Sequence, residues 1–199
     1  MPVQGKERRA READRMRIVG GDLRGRTLVT PRSSAIRPTS DRTREAIFNV
    51  LAHRGSGGVD GARVLDLFAG TGALGVEALS RGAAMCLFVE EAAEARGIIR
   101  DNVEAFGLTG RSKIFRRDAT DLGEVGTIQP FDLVFADPPY GQGLGERALA
   151  SALAGGWVAP GALVILEEAA DARFVLPAGY SVADEREYGD TVIRFLDLA

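Results

Sequence analysis

The sequence predicts an α/β fold with a seven-stranded, mostly parallel, doubly wound sheet. The sheet ends in an antiparallel hairpin and is preceded by a small N-terminal hairpin and helix. Three observations carry this prediction. Strand-like apolar runs alternate with amphipathic helix patterns from residue 62 onward, which is typical of parallel sheets. A glycine-rich turn joins the first run to the first of these helices. The last two runs have no helix between them and are therefore predicted to pair with each other.

Composition sets broad limits on this chain. Its 199 residues, 45% hydrophobic and 27% charged, suit one globular domain and exclude a disordered chain. A single cysteine, Cys86, excludes a disulfide framework or a multi-cysteine zinc site and favours a reducing cytoplasm. A single histidine, His53, leaves little scope for histidine metal ligation or a Ser-His-Asp triad.

No targeting or membrane segment is expected. The N-terminus lacks the apolar run of a secretory signal. Residues 148–166 carry no charge, but glycines and Pro160 interrupt them. This stretch is predicted to form a helix, a Gly/Pro loop and a buried strand rather than a membrane span.

The chain is predicted to divide into three segments. Residues 1–15 form a charged extension that is predicted to be a loose helix or disordered. Residues 16–54 are predicted to form a basic unit, in which two short strands surround a Gly-rich turn and a helix begins after Thr39, Ser40 or Asp41. A Gly/Ser-rich linker then precedes the third segment, residues 62–199.

The remaining elements follow from apolar runs and glycine stops. The predicted strands are 64–68, 86–89, 112–115, 131–136, 162–166, 180–187 and 191–196. The predicted helices are 73–80, 92–106 and about 145–154, with Gly82 and Gly107 ending the first two.

Charge is distributed unevenly along the chain. Residues 1–44 carry twelve Lys/Arg and five Asp/Glu, a net charge of +7, whereas the remainder carries 13 and 23, a net charge of −10. A basic arm of this kind favours a polyanionic partner, although a solvated tail would also explain it. Arg42 and Arg44 fall in the first turn of the predicted helix, where positive charge is unfavourable, which points to an external anion. The basic block comprises Arg17, Arg24, Arg26, Arg32, Arg37, Arg42 and Arg44.

A Gly-x-Gly-x-x-Gly motif at residues 70–75 follows a strand and opens a helix, the context that nucleotide binding requires. Taken alone it would suggest a dinucleotide. Asp66 precedes it by four residues, however, and a carboxylate there would repel a pyrophosphate. It suits a cationic ligand, so Asp66 favours S-adenosylmethionine, which carries a sulfonium and an ammonium and no phosphate.

Two further acids lie at the carboxyl ends of the next strands, where doubly wound sheets bind ligands. Glu90 is placed to accept hydrogen bonds from ribose hydroxyls, whereas Glu91 is expected to face solvent. Asp118 is placed to reach an adenine amino group. The predicted donor-binding residues are Asp66, Phe68, Gly70, Thr71, Gly72, Glu90, Asp118 and Ala119.

The fourth strand runs directly into the sequence Asp137-Pro138-Pro139-Tyr140. The two prolines make the turn rigid and remove two N–H donors. The Asp137 carboxylate and the Pro138 carbonyl remain as acceptors that suit the two N–H groups of an exocyclic amine. Tyr140 offers a flat face on which a base can stack. These four residues are the predicted catalytic set.

The chain resembles the bacterial guanine-N2 methyltransferases of 16S (small-subunit) ribosomal RNA. The resemblance runs from Met16 to the C-terminus. It rests on Asp137-Pro138-Pro139-Tyr140, on Arg37-Pro38-Thr39 with Asp41-Arg42 and Arg44-Glu45, and on the run from Leu65 to Gly75. The Asp-Pro-Pro-Tyr motif is shared with adenine-N6 enzymes, whereas the other two blocks are more specific. Residues 1–15 lie outside the family pattern.

The resemblance implies a monomeric, Rossmann-like class I methyltransferase that uses S-adenosylmethionine and needs no metal. It implies that a guanine N2 is methylated within an assembling small subunit. Within the basic block, the contacts expected with RNA phosphates are Arg17, Arg24, Arg26, Arg37 and Arg42.

Three alternatives remain open. An adenine-N6 methyltransferase would share the Asp-Pro-Pro-Tyr corner. An NAD-dependent oxidoreductase would share the glycine loop, although Asp66 and the two prolines speak against it. A non-catalytic RNA-binding factor would keep the fold without the chemistry.

Overall fold

The computed structural model describes residues 16–31, 41–53 and 58–198. Its strands are β1 (Arg63–Leu67), β2 (Met85–Val89), β3 (Ser112–Phe115), β4 (Phe131–Ala136), β5 (Val158–Ala169), β6 (Tyr180–Tyr188) and β7 (Thr191–Leu198). Its helices are α1 (Asp41–His53), α2 (Ala73–Ser80), α3 (Ala93–Ala105) and α4 (Leu144–Ala154), and a short 3-10 turn, Thr109–Arg111, precedes β3.

All seven strands form one sheet in the order β3-β2-β1-β4-β5-β7-β6. Strands β1 to β5 are parallel, and β7 pairs antiparallel with both β5 and β6. The predicted fold class is therefore confirmed. The carboxyl ends of β1, β2 and β4 are level, since Leu67 pairs with Val89 on one side and with Ala136 on the other.

Alternating side chains of the parallel strands fill two hydrophobic layers, one on each face of the sheet. One layer contains Val64 and Phe88 together with α1, α2 and α3. The other contains Leu65 and Val89 together with α4. Asp66 projects toward the first layer because it alternates with Leu65 and Leu67.

Strand β5 is longer than predicted. The Gly/Pro loop expected before residue 162 is wrong in part, because β5 already begins at Val158 and includes Pro160 and Gly161. Its pairing with β4 is irregular there, with partners at Val158 and then at Leu163. Such a bulge accommodates a proline that cannot donate to the ladder.

The two N-terminal strands predicted around the Gly-rich turn reduce to one isolated antiparallel bridge between Arg17 and Thr27. This N-terminal hairpin, residues 16–29, still packs on the main core through Met16, Ile18 and Leu28. Its turn also approaches α2 closely: a Cβ on Gly21, whose φ is +73°, would lie 1.9 Å from the Ser80 carbonyl oxygen.

Two side chains of α2 fasten this hairpin. The buried Glu77 carboxylate accepts the Val19 N–H at 2.8 Å and the Arg81 Nε at 2.7 Å. The Ser80 hydroxyl donates to the Gly20 carbonyl at 2.6 Å. The hairpin is thereby fixed to the helix that follows the glycine loop.

Arg44 corrects one expectation. Its side chain is fully buried and donates to Asp41 Oδ1 at 2.6 Å and to the Arg17 carbonyl at 2.5 Å. The anion expected near Arg44 is therefore the carboxylate of Asp41 within the protein, rather than an external ligand. Arg44 also joins α1 to the N-terminal hairpin through the Arg17 carbonyl. Arg42 is exposed in the same turn.

Some predictions fall on residues that the structure does not describe. They are the extension 1–15, the cap candidates Thr39 and Ser40, and the basic residues Arg32 and Arg37. Among the described helices, none has the length and apolar character needed to cross a membrane.

Candidate active site

A cavity of about 620 Å³ opens at the carboxyl ends of β1 to β4. Of the twelve residues predicted to bind the donor or the target base, all but Gly72 line it. A wider cavity of about 760 Å³ lies at the opposite edge, between α1 and the amino ends of β1 and β5. Doubly wound sheets bind ligands at the carboxyl edge, so the first cavity is the candidate site.

Two carboxylates shape the glycine loop from beneath. Asp66 Oδ2 accepts the Gly75 N–H at 3.0 Å, and Glu90 Oε2 accepts the Gly70 N–H at 2.9 Å. The other Glu90 oxygen accepts the Ala92 N–H at 2.7 Å. These acids therefore hold the backbone of the loop in addition to lining the cavity.

The chain leaves β1 through a strained residue. Phe68 has a φ of 59°, and no other non-glycine residue within the described ranges has a positive φ. A bulky residue in this region costs about 1–3 kcal/mol and persists only where the surroundings enforce it. The strain turns the chain out of the sheet and exposes the Phe68 side chain to the cavity.

Gly72 does not line the cavity, yet it makes the loop possible. Its φ of 76° places it in the left-handed region, where glycine is strongly favoured. The Gly72 N–H donates to the Ala69 carbonyl at 2.7 Å, and its carbonyl accepts the Val76 N–H at 2.8 Å. Gly72 thus closes the turn that starts α2.

The charge of Asp66 is poorly solvated. Burial raises the pKa of this carboxyl well above its usual range, and the neighbouring Asp137 and Glu90 raise it further. The Gly75 N–H acts in the opposite direction and lowers the pKa. Because Asp66, Glu90 and Asp137 all line the cavity, a cation bound there would relieve their mutual repulsion.

We expect Asp66→Asn to stabilise the ligand-free protein and to weaken donor binding. A carboxyl whose folded-state pKa is raised costs folding free energy as the pH rises from its ordinary pKa toward the raised one. The gain in melting temperature should therefore be larger at pH 7 than at pH 5. Donor affinity should fall roughly tenfold, since hydrogen bonds to charged groups contribute about 1.5–3 kcal/mol.

Thermal melts at both pH values and calorimetry with S-adenosylmethionine measure these two effects. Asp171→Asn, at an exposed turn after β5, is the control. A lower melting temperature for Asp66→Asn than for wild type at pH 7 would contradict the conclusion that the buried Asp66 carboxylate destabilises the ligand-free fold.

Asp118 forms a local turn after β3. Its Oδ1 accepts the Thr120 N–H at 2.7 Å and the Thr120 hydroxyl at 2.8 Å, and these bonds lower its pKa. Arg147 donates to the same hydroxyl at 3.2 Å. Asp118 therefore stays ionised at the rim of the cavity, next to the buried Ala119.

The corner after β4 lies across the cavity from the glycine loop. The Asp137 N–H donates to the Leu67 carbonyl at 3.4 Å, which joins the corner to the end of β1. Pro138 is buried, Pro139 is exposed and Tyr140 is half-buried. Burial and the nearby Glu167 raise the pKa of the Tyr140 hydroxyl, so it remains a hydrogen-bond donor.

Sequence reasoning missed two glutamates at the end of β5. Glu167 accepts the Tyr140 hydroxyl at 2.5 Å, and Glu168 accepts the Gly141 N–H at 2.9 Å. The signal available was a pair of acids that directly follows an apolar strand.

Asn102 was also missed. It is fully buried on α3, and its side chain accepts the Val29 N–H at 2.7 Å. It donates to the Val29 carbonyl at 3.2 Å and to the Thr71 carbonyl at 3.1 Å. Asn102 therefore connects the end of the N-terminal hairpin to the glycine loop.

Comparison with known proteins identifies the family to which the chain belongs. The family described as Conserved hypothetical protein 95 matches residues 16–197. Ribosomal RNA small subunit methyltransferase D of Escherichia coli K12 is 37% identical over 182 residues, which cover 90% of this chain and 88% of that protein. Its namesake in Haemophilus influenzae is 32% identical and covers 87% of this chain and 89% of that protein.

A solved structure agrees with this relationship. The Escherichia coli protein yhhF superposes with a TM-score of 0.78 at 33% identity, over 92% of this chain and 98% of that one. The chain therefore belongs to the Conserved hypothetical protein 95 family, together with the ribosomal RNA small subunit methyltransferases D.

Proposed function

We propose that this chain transfers a methyl group from S-adenosylmethionine to the exocyclic N2 amine of a guanine in 16S ribosomal RNA. One observation carries the proposal: a single cavity joins the acidic, glycine-lined pocket to the acceptor corner at Asp137. A cationic donor and an amine acceptor can meet there. The family relationship and the names of the relatives support the same function.

The residues present fit the donor. Asp66 and Glu90 would supply negative charge for its cationic amino-acid part and acceptors for its ribose, and Asp118 and Ala119 would hold its adenine. S-adenosylmethionine, when bound, supplies an electrophilic methyl group on a sulfonium sulfur. The glycine loop lets the backbone of Gly70 and Thr71 come close to that ligand.

On the target side, this chain's residues position an amine. The Asp137 carboxylate and the Pro138 carbonyl accept its two N–H groups, which directs the nitrogen lone pair toward the donor. Asp137 also stabilises the positive charge that develops on the nitrogen and then accepts one proton. Positioning and electrostatics of this kind supply several kcal/mol of barrier lowering. The guanine must leave its stack to reach the cavity, and Tyr140 gives it a replacement surface.

We further propose that the basic block contacts the phosphates of the RNA. Arg17, Arg24, Arg26 and Arg42 are exposed. The Arg26 guanidinium lies 4.5 Å from the centroid of the Phe106 ring and donates to the Ala105 carbonyl. We also propose that the substrate is an assembling small subunit; the names of the relatives support small-subunit ribosomal RNA. We expect the chain to act as a monomer in the cytoplasm, where its one buried cysteine stays reduced.

Replacing Arg24 and Arg42 together with alanine should weaken RNA binding at low salt. It should also reduce the slope of log K against log salt by about one for each phosphate that the variant no longer neutralises. Binding titrations with small subunits over a range of salt concentrations measure the slope. Lys113→Ala, on the edge strand β3, is a control that removes one positive charge outside the basic block. An unchanged slope in the double variant would reject these contacts.

The function is tested by incubating the protein with labelled S-adenosylmethionine and undermethylated small subunits. Digestion of the RNA then identifies the modified nucleoside. N2-methylguanosine supports the proposal. N6-methyladenosine would assign the alternative adenine chemistry, and no transfer to intact or partly assembled subunits would overturn an enzymatic role.

A further inference from the structure

Two glutamates at the end of β5 hold the Asp-Pro-Pro-Tyr corner by hydrogen bonds. Glu167 and Glu168 are consecutive, so their side chains project to opposite faces of the sheet. Both are nearly fully buried, with 5% and 3% exposure. Tyr140 binds the first carboxylate and Gly141 binds the second, so the corner straddles the end of the strand.

The two attachments act on different parts of the corner. Glu168 Oε1 accepts the backbone N–H of Gly141 at 2.9 Å and also that of Ala169 at 2.8 Å, so it fixes the path of the main chain. Glu167 Oε1 accepts the hydroxyl at the far end of the Tyr140 ring at 2.5 Å. This distance is typical of a hydrogen bond between a hydroxyl and a carboxylate, which is stronger than a neutral one. Thr191, on β7, has its hydroxyl 3.5 Å from the same phenolic oxygen.

A tyrosine ring needs two fixed points to present one face in a constant direction. The proline-rich corner fixes its Cα, and the Glu167 carboxylate fixes its hydroxyl. Burying a carboxylate costs free energy, so a buried acid on an interior strand of the sheet requires a reason beyond packing. The neighbouring positions Leu166 and Ile165 show that apolar side chains fit this strand.

We infer that Glu167 is a positioning residue for the methyl acceptor. Its carboxylate holds the Tyr140 ring in the orientation in which the target guanine stacks on the face of that ring. This inference rests on the proposed function, since it says that a residue of β5 orients the target base in that same site. Glu167 contacts Tyr140 and does not itself line the cavity that holds the glycine loop.

Kinetics of four proteins test this role: wild type, Tyr140→Phe, Glu167→Gln and the Tyr140→Phe/Glu167→Gln double variant. Loss of the phenolic hydroxyl should lower kcat/KM for small subunits about tenfold, the scale of one charge-assisted hydrogen bond. Glu167→Gln keeps an acceptor oxygen and should lose less. The double variant should be no worse than Tyr140→Phe alone in kcat/KM, because the hydrogen bond between Tyr140 and Glu167 is already absent from the single variant.

Binding of S-adenosylmethionine, measured by calorimetry, should stay within twofold of wild type in all four proteins, and Glu187→Gln on exposed β6 is the control. The positioning role would be overturned if the two single-variant losses in kcat/KM multiplied in the double variant. It would also be overturned if the affinity for S-adenosylmethionine fell as much as kcat/KM. A wild type that transfers no methyl group refutes the proposed function instead. When the wild type does transfer a methyl group, 2-aminopurine is placed in small subunits at the guanine that it modifies, and its fluorescence in the absence of the donor reports stacking on Tyr140. A signal in Glu167→Gln and Tyr140→Phe equal to that of wild type would overturn the inference.

Discussion

Asp137→Ala should abolish most methyl transfer while S-adenosylmethionine still binds. The carboxylate follows β4 and lines the same cavity as the glycine loop. Removing one preorganised electrostatic group from an active site lowers kcat by about 10²–10³-fold. We expect Asp137→Asn to fall between wild type and Asp137→Ala, because an amide oxygen accepts a hydrogen bond but cannot balance the positive charge on the nitrogen.

Single-turnover assays with small subunits measure the chemical step, and calorimetry measures donor affinity. Donor affinity should change little, because two effects oppose each other: one negative charge facing the cationic donor is lost, but the pKa of Asp66 falls and leaves that carboxylate more readily ionised. Asp121→Ala, at an exposed position after β3, controls for loss of charge near the cavity. Wild-type turnover in Asp137→Ala would refute the catalytic assignment.

Gly75→Ala should destabilise the protein by about 3 kcal/mol, the upper end of the cost of overpacking a core. A Cβ on Gly75 would lie 2.3 Å from Cε1 of Phe88 and 2.6 Å from Sγ of Cys86. Both atoms belong to fully buried side chains of β2, so neither can move aside. Displacing α2 instead would break the bond from the Gly75 N–H to Asp66, so donor affinity should fall as well.

Gly97→Ala provides a matched comparison. Gly97 lies inside α3 and has open space around the position of a Cβ. Alanine there should stabilise the protein by about 0.5–1 kcal/mol, since glycine is a poor helix former. Urea unfolding of both variants gives the two free energies. Equal effects at the two positions would contradict the close packing of the glycine loop on β2.

The sequence predicted the parallel strands and their helices closely because the signals are local. Buried parallel strands are short apolar runs, and Gly82 and Gly107 adopt the positive φ expected where helices end. The gathering of the predicted site residues at one edge of the sheet followed from the same pattern, since the acids come directly after strands whose carboxyl ends must meet. Local signals failed at β5, where Pro160 and Gly161 indicated a loop and the neighbouring strand β4 imposed a bulged strand instead.

The partners of individual side chains were beyond sequence reasoning. Arg44 pairs with Asp41 and with the Arg17 carbonyl, which is 27 positions away, rather than with an external anion. Asn102 reaches Val29 across 73 positions, and Glu167 reaches Tyr140 across 27. No periodicity encodes contacts of this kind, because they depend on how separate elements pack.

The sequence by itself determined the fold class, the glycine loop, the acids at the strand ends and the acceptor corner. Each of these depends on residue type and on neighbours a few positions away. Only the tertiary structure decided how that corner is held and how the N-terminal hairpin meets the glycine loop. A buried polar side chain must find a hydrogen-bonding partner, and which partner it finds is settled when the sheet, helices and hairpin pack together.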